Sequence, residues 1–378
     1  MEAVILAAGQ GTRMRPITPG VPKSLIPVAN RPFLSLVVDR VRAAGAKRIV
    51  VVVSPENRDA IQNALDDVQV AVQEVPRGTA DAVAAAENAV TDDFLLVNGD
   101  TLIEVDDLRR LADESGCAMG LARVDDPSAY GIAEVVDGRV VAIDEKPEHP
   151  RGDLANTGTY RLTRAVFDAI RRTPLSERGE LELTASLMLL HERGTPVHAC
   201  LIERGWRDFG APWHVLDLND EALAVLEAPT PRIDGAIVNG PVVLGTGCTV
   251  GEDAIIQGPA VVGNGCEIGA GARIGPGSSV GAGCVLGDGS VVEGSVLCER
   301  VTVGDGAQVL SSVLGAGATV GMAATLLDTN DDSSTVRMTV KDRDLDTGRT
   351  RCGALVGCGA AVDDMEVVFP GSLVFAME

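Results

Sequence analysis

Lysine is scarce in this sequence. Only Lys23, Lys47, Lys146 and Lys341 occur in 378 residues, and the other basic side chains are arginine. With a formal charge of −22, the chain lacks the positive field that nucleic acids and anionic membrane surfaces attract, so neither is an expected partner. No apolar run approaches the ~18 residues that a membrane-spanning helix needs. The eight cysteines include no Cys-x-x-Cys pair and stand in no His/Cys cluster. That argues against a zinc site, and a disulfide framework is not expected in a large cytoplasmic chain. The acidic residues are spread along the sequence, as in the solvated shell of a protein adapted to high salt. Any phosphate site must then be built locally from a few basic groups, which makes each of the scarce lysines a candidate.

What is present divides into two halves. At 378 residues and 46% hydrophobic content the chain suits two domains. Up to about residue 225, short apolar runs (3–8, 48–53, 94–97) alternate with amphipathic stretches (33–44, 58–65). This is the βαβ rhythm of an α/β domain with a mostly parallel sheet. The expected catalytic domain spans 1–227, and the Pro-containing stretch 228–235 reads as a linker. Beyond it a six-residue period takes over. Val238, Leu244, Val250, Ile256, Val262, Ile268, Ile274, Val280, Leu286 and Val292 are all aliphatic, and Gly follows seven of these ten. Two residues before the aliphatics, from Cys248 to Ser290, every side chain is Ala, Ser or Cys. One aliphatic, one small residue and a glycine turn per hexapeptide build one flat side of a triangular coil. The expected second domain, 236–378, is therefore a left-handed parallel β-helix. Cys248, Cys266 and Cys284 stand eighteen apart and are expected to stack as small packing residues. The period slips after Val292, resumes at Leu314, and breaks again at a polar stretch, so an excursion from the coil is expected at about 329–351.

The string Leu6-Ala7-Ala8-Gly9-Gln10-Gly11-Thr12-Arg13-Met14 follows the first apolar run. Its glycines allow backbone N–H groups close to phosphate oxygens, and Arg13 adds a fork of donors. Pro22-Lys23 brings an ammonium ten residues on. The third glycine of the dinucleotide-binding pattern is missing, with Met14 in its place. A phosphate loop starting at Leu6 leaves no room ahead of it for a secretory leader, so a cytoplasmic location is expected.

Over residues 2–225 the chain resembles the sugar-1-phosphate nucleotidyltransferases, and its two-domain layout is similar to members with a hexapeptide-repeat tail. The resemblance implies a Rossmann-like catalytic domain with Leu6, Ala8, Gly9, Gly11 and Thr12 on the nucleotide. It implies that Gln73, five residues before Gly78-Thr79-Ala80, reads a pyrimidine base, since an amide can accept from an imide N–H and donate to a carbonyl. Gly78 and Thr79 complete the nucleotide set. Asp100 in Asn98-Gly99-Asp100 and Asp208 in Gly205-Trp206-Arg207-Asp208 are implied ligands of Mg²⁺, an ion suited to two carboxylates, phosphate oxygens and water. Gly131, Glu145 and Asn156 are implied on the sugar and Lys146 on its 1-phosphate, with Glu180-Leu-Glu-Leu-Thr184 as a helix start near the sugar.

The implied reaction is in-line attack of the sugar 1-phosphate on the α-phosphorus of UTP or dTTP, with Arg13, Lys23 and Lys146 as the catalytic cations and pyrophosphate leaving. Glucose 1-phosphate is the first expectation for the sugar and N-acetylglucosamine 1-phosphate the second. Two other readings are open. Some relatives acetylate an amino sugar in the hexapeptide domain, which needs a base such as His; here His149, His191, His198 and His214 all precede the repeat. A non-catalytic regulatory subunit would share both domains, but such chains lose phosphate or metal residues that are present here. The favoured role of the β-helix is structural, joining copies into a homo-oligomer, a trimer or a multiple of one.

Overall fold

The computed structural model describes residues 1–18 and 20–377. The chain folds as two compact units, one of Met1–Gln10 with Phe33–Asp208, the other of Gly11–Pro32 with Phe209–Glu378. The division differs from a simple cut at the 228–235 linker. Two stretches of the expected catalytic domain, Gly11–Pro32 and residues 209–227, belong to the compact unit that contains the β-helix.

The first unit is built on a nine-stranded sheet. Its strands are β1 (Glu2–Leu6), β2 (Arg48–Val53), β3 (Gln69–Val72), β4 (Phe94–Asn98), β6 (Cys117–Arg123), β7 (Gly131–Val136), β8 (Arg139–Glu145), β9 (Leu154–Leu162) and β10 (Val197–Leu201). They lie in the order β3-β2-β1-β4-β9-β6-β10-β8-β7. The first four are parallel, while β9 and β8 run against their neighbours. A short ribbon of β5 (Thr101–Ile103) and β11 (Trp206–Asp208) stands apart from this sheet. Val4, Val50, Phe94, Leu96 and Met119 point to one side of the sheet. There they pack with residues from α3 (Thr79–Ala85), α5 (Ala165–Ile170) and α6 (Leu183–Glu192). The alternate residues Ala3, Ile5, Leu95 and Val97 are also buried and point to the opposite side by the two-residue period of a strand. Helices α1 (Phe33–Ala43) and α4 (Val105–Asp113) pack together on that side, and α2 (Arg58–Ala64) connects β2 to β3. Burial on both sides is why these strands read as continuous apolar runs.

The second unit holds a left-handed parallel β-helix of three sheets, with seven, seven and six strands. The aliphatic column lies inside it, and Ala254, Ala260, Cys266, Ala272, Ser278, Cys284 and Ser290 are fully buried beside it. Early coils repeat every eighteen residues, Ile256 lying opposite Ile274. The slip after Val292 is a corner one residue shorter, at Gly294, after which coils repeat every seventeen, Val292 lying opposite Val309. The inward column therefore continues unbroken through Leu297, Val303 and Val309. Later, Leu314 lies opposite Val356, forty-two residues on. The interval contains an antiparallel hairpin of Arg337–Val340 and Arg343–Asp346. The glycines that follow the aliphatics are needed for a reason other than turn geometry. At Gly251 and Gly263 a Cβ would stand 2.6 Å from a backbone nitrogen of the next coil. No side chain fits where successive coils pass so closely.

The three stacked cysteines are free thiols, as are the other five. Each of the three donates to a carbonyl oxygen at 3.1 Å: Cys248 to Gly263, Cys266 to Gly281 and Cys284 to Cys298. Among the described residues no helix is long and apolar enough to cross a membrane.

Candidate functional site

In the first unit, the order β2-β1-β4 makes the C-terminal ends of β1 and β4 a point where connections leave in opposite directions. Crevices for ligands open at such points. Leu6 ends β1 and Asn98 ends β4, and the two are register partners. The backbones nearly touch here, for the Gly99 N–H donates to the Leu6 carbonyl at 2.8 Å and a Cβ on Gly99 would meet that oxygen at 2.8 Å. Ala7 and Ala8 are buried, whereas Gly9 is exposed with nothing within 4 Å of a Cβ built on it. Gly9 is therefore not required by packing.

Asp100 follows Gly99 and leads directly into β5. The antiparallel pairing of β5 with β11 matches Asp208 with Thr101, the neighbour of Asp100. Two carboxylates more than a hundred residues apart in sequence are thus brought to one end of the ribbon, Asp208 on β11 and Asp100 in the turn just before β5. The ribbon is braced from α4. Asp107, fully buried, accepts from the Arg110 side chain and from the backbone N–H groups of Arg204 at 2.8 Å and Gly205 at 3.3 Å. Burial alone would raise the Asp107 pKa, but these donors outweigh it and hold the carboxyl below its usual range. Among the described residues no group of three or more His, Cys, Asp or Glu is arranged to hold a metal. A cation bound here would find two protein carboxylates, hard oxygen donors that suit a divalent ion completed by phosphate oxygens and water.

Gln73 is buried at the end of β3. Its amide nitrogen donates to the Gly78 carbonyl at 3.2 Å and to Asp81 at 2.9 Å. Both of its N–H groups are thereby used, which leaves the amide oxygen as the function it can offer a base. Asp81 is itself paired with Arg77 at 2.7 Å. Gly78 takes φ +123°, and a Cβ there would meet the Leu181 carbonyl at 2.4 Å. Thr79 accepts from the Leu183 N–H at 3.0 Å, tying the start of α3 to the start of α6.

The residues expected on the sugar side meet where β7, β8 and β9 adjoin. Gly131 pairs with Glu145, and Ala155 with Ile132. A Cβ on Gly131 would lie 3.1 Å from the Glu145 carboxylate. Lys146 adopts φ +51°, its N–H donating to the Tyr130 carbonyl at 3.1 Å. Asn156 is bound within the protein, donating to the Tyr160 hydroxyl at 2.7 Å and accepting from the Gly158 N–H at 3.0 Å. Its remaining N–H and lone pair are all it can give a ligand. Glu145 accepts from Thr184 at 3.2 Å and lies 4.0 Å from Arg178, which pairs more closely with Glu182 at 3.0 Å. Partial burial, and then the Glu182 charge, push the Glu145 carboxyl above the usual glutamate value. The sequence motif 180–184 contained Glu182 and Thr184, but Asp81 and Arg178 were not anticipated.

In the second unit, Gly11 takes φ +60° and opens a short turn over Thr12–Met14. Met14 is buried and Arg13 exposed. A Cβ on Gly11 would stand 2.6 Å from the Lys23 Cβ, so glycine is needed for the two turns to sit side by side. The Thr18 hydroxyl closes this loop by donating to the Gly11 carbonyl at 3.2 Å. Lys23 starts a second short turn, Lys23–Leu25, with its ammonium 5.8 Å from the centre of the buried Phe209 ring.

Known proteins resemble the chain in both halves. A family described as nucleotidyl transferase matches residues 2–224, and one described as the GMPPB C-terminal domain matches residues 256–344. Glucose-1-phosphate thymidylyltransferase of Streptomyces antibioticus is 37% identical over 268 residues, which cover 66% of this chain and 74% of that one. The low-salt glycan biosynthesis nucleotidyltransferase Agl11 of Haloferax volcanii is 36% identical, covering 65% and 71%. The bifunctional protein GlmU of Methanococcus maripaludis is 36% identical, covering 65% and 59%. A crystal structure from Bacillus anthracis, described as a glucose-1-phosphate thymidylyltransferase in complex with a sucrose, superposes with a TM-score of 0.54 at 28% identity, covering 59% of this chain and 95% of that one.

Proposed function

The chain belongs to the sugar-1-phosphate nucleotidyltransferases and is an enzyme of that type, and from this premise we propose that it joins UTP or dTTP to glucose 1-phosphate, releasing pyrophosphate. The observation that carries the reading is the β5–β11 pairing, which matches Asp208 with the neighbour of Asp100. In this reading Asp100 and Asp208 hold Mg²⁺, which when bound supplies positive charge to the phosphate oxygens. The backbone of Leu6, Ala8, Gly9, Gly11 and Thr12 cradles the triphosphate. Gln73 accepts the imide N–H of uracil or thymine through its amide oxygen, which would repel the ring nitrogen lone pair of cytosine; Gly78 and Thr79 frame the base. Gly131, Glu145 and Asn156 orient the sugar.

The attacking oxygen of the 1-phosphate is already an anion, so no general base is required. Lys146 holds it in line with the α-phosphorus, Lys23 neutralises the reacting phosphates and Arg13 the departing pyrophosphate. Alignment and charge neutralisation are then the main sources of rate. N-acetylglucosamine 1-phosphate is the second candidate sugar. The β-helix joins copies into a homo-oligomer, a trimer or a multiple of one.

The test is pyrophosphate release by the purified chain in high KCl, crossing UTP, dTTP, CTP, GTP and ATP with glucose, N-acetylglucosamine, galactose and mannose 1-phosphates. The reading expects release with UTP or dTTP, little with CTP, and loss of release on adding EDTA. Asp100→Asn should lower turnover by orders of magnitude in a folded protein. A folded chain silent across the whole panel overturns the reading.

A further inference from the structure

The segment Gly11–Pro32 carries both Arg13 and Lys23, and it belongs to the compact unit built on the β-helix. Its contacts show what holds it there. Near its start, the Ile17 carbonyl accepts from the Cys358 thiol at 3.0 Å, and Pro16 packs so closely on Gly357 that a Cβ would meet it at 2.8 Å. Near its end, the Asn30 amide donates to the Val280 carbonyl at 2.6 Å. The Ala29 N–H donates at 3.0 Å to Asn219, a fully buried residue of α7 (His214–Ala224).

Asn219 is the junction. Its side-chain oxygen accepts from Ala29 and also from the Ser279 hydroxyl at 2.6 Å, while its nitrogen donates to the Gly277 carbonyl at 2.9 Å. One buried amide thus ties its own helix, the segment and a β-helix coil together. Between the two anchors the packing is incomplete. A cleft of about 530 Å³ lies there, lined on one side by Val21, Leu25 and Pro27 and on the other by Val243, Val261 and Ala282 of the coils. Ser24, Ile26 and Val28 of the stretch are buried, so packing holds part of it, while along the cleft the segment is tied to the coils by the polar anchors at its ends. Lys23 stands on a three-residue turn between them.

We infer that the β-helix is a positioning element of the transfer site, and that Asn219 is the positioning residue through which it sets the place of Lys23. The inference rests on the role proposed above for Lys23. It makes the second domain part of the catalytic apparatus whatever its part in oligomerisation.

A double-mutant cycle on the full chain tests it. A residue acting through another loses its effect once that other is gone, whereas a residue needed only for general stability costs the same in both backgrounds. Misplacing a reacting group by about 1 Å can cost ~100-fold. Asn219→Ala should therefore lower kcat at least about tenfold when Lys23 is present, yet less than about twofold further in a Lys23→Ala background, read with radiolabelled triphosphate. The KM for the sugar phosphate should stay near its original value. If Asn219→Ala prevents folding, Asn30→Ala at a half-buried position carries the same cycle. Equal losses in both backgrounds, or undiminished kcat in a folded variant, overturn the inference while leaving the enzyme assignment intact. Silence from the unmodified chain would overturn the functional reading itself, and the catalytic meaning of the anchor with it.

Discussion

Glu145 is the residue whose chemistry is most open to a pH experiment. Its carboxyl is held above the usual glutamate range by partial burial and by the Glu182 charge. In the proposed role of acceptor for sugar hydroxyls it would work in the ionised form. Lowering the pH through its raised pKa should weaken sugar-phosphate binding earlier than an ordinary glutamate would. The folded state favours its protonated form, so the ionised group costs stability above that pKa and the cost is relieved as the pH falls. Glu145→Gln should therefore flatten the acid side of the KM profile for the sugar phosphate and leave stability at neutral pH unchanged or slightly higher. An acid limb of unaltered position in Glu145→Gln would remove Glu145 from the sugar site. Gly9 offers the opposite kind of test. With nothing within 4 Å of a Cβ and no positive φ, Gly9→Ala should change stability by less than ~0.5 kcal/mol, so a rise in KM for the triphosphate would report the ligand alone. An unchanged KM would show that no phosphate approaches there. At this scale the sequence is legible as local structure where a motif is contiguous: the glycine-rich string after Leu6 forms a loop and a short turn at Thr12–Met14. It was not legible at Asp81 or Arg178. These meet Gln73 and Glu145 across a turn or between distant elements, and no local pattern records such meetings.

At the scale of elements, the candidate site contains two places where backbones come too close for a side chain, Gly78 against Leu181 and Gly99 against Leu6. Gly99 lies against the end of β1, and a Cβ there would press on the Leu6 carbonyl at 2.8 Å and on Ala7 at 3.2 Å. Neither neighbour is a flexible side-chain tip. Gly99→Ala should therefore force β1 and β4 apart at the point where Asp100 begins. We expect a drop in thermal midpoint together with a loss of kcat of about tenfold or more. A midpoint and kcat equal to those of the unsubstituted chain would show that the crevice is not defined at this junction. The βαβ rhythm and the hexapeptide column were both readable as patterns of period and burial. The antiparallel course of β9 was not, because a strand buried on both sides reads alike in either direction. Nor was the continuity of the coil beyond Val292, since deleting one corner residue shifts the phase of a six-residue count while the inward column of Leu297, Val303 and Val309 persists. The hexapeptide glycines were read as turn formers. The structure assigns several of them to close approach between coils.

For the whole molecule the governing quantity is charge. Fifty-four acidic residues face thirty-two basic ones, and among the described residues many ion pairs are solvent-exposed, such as Arg109–Asp106, Arg123–Asp153 and Arg300–Glu299. Exposed pairs of this kind each contribute ~0–1 kcal/mol. Added salt acts on two opposing terms: it weakens these attractions and it screens the repulsion among the excess carboxylates. The attractions are individually small and local, whereas the repulsion sums over a net charge of −22 and disfavours the compact state. Screening should therefore favour the fold. The Debye length falls from ~30 Å at 0.01 M to ~10 Å at 0.1 M and ~3 Å at 1 M, so most of the gain should come at low and moderate salt and then level off. The thermal midpoint should rise by several degrees as KCl increases from 0.02 to 0.5 M, and pyrophosphate release should rise with it if the phosphate loop shares in the repulsion. Triphosphate binding brings more negative charge to a surface already rich in it, so screening should also lower the KM for the nucleotide. A midpoint that falls over this range would mean that the surface pairs outweigh the repulsion. The acidic composition would then be a specific network of attractions and not a solvated shell.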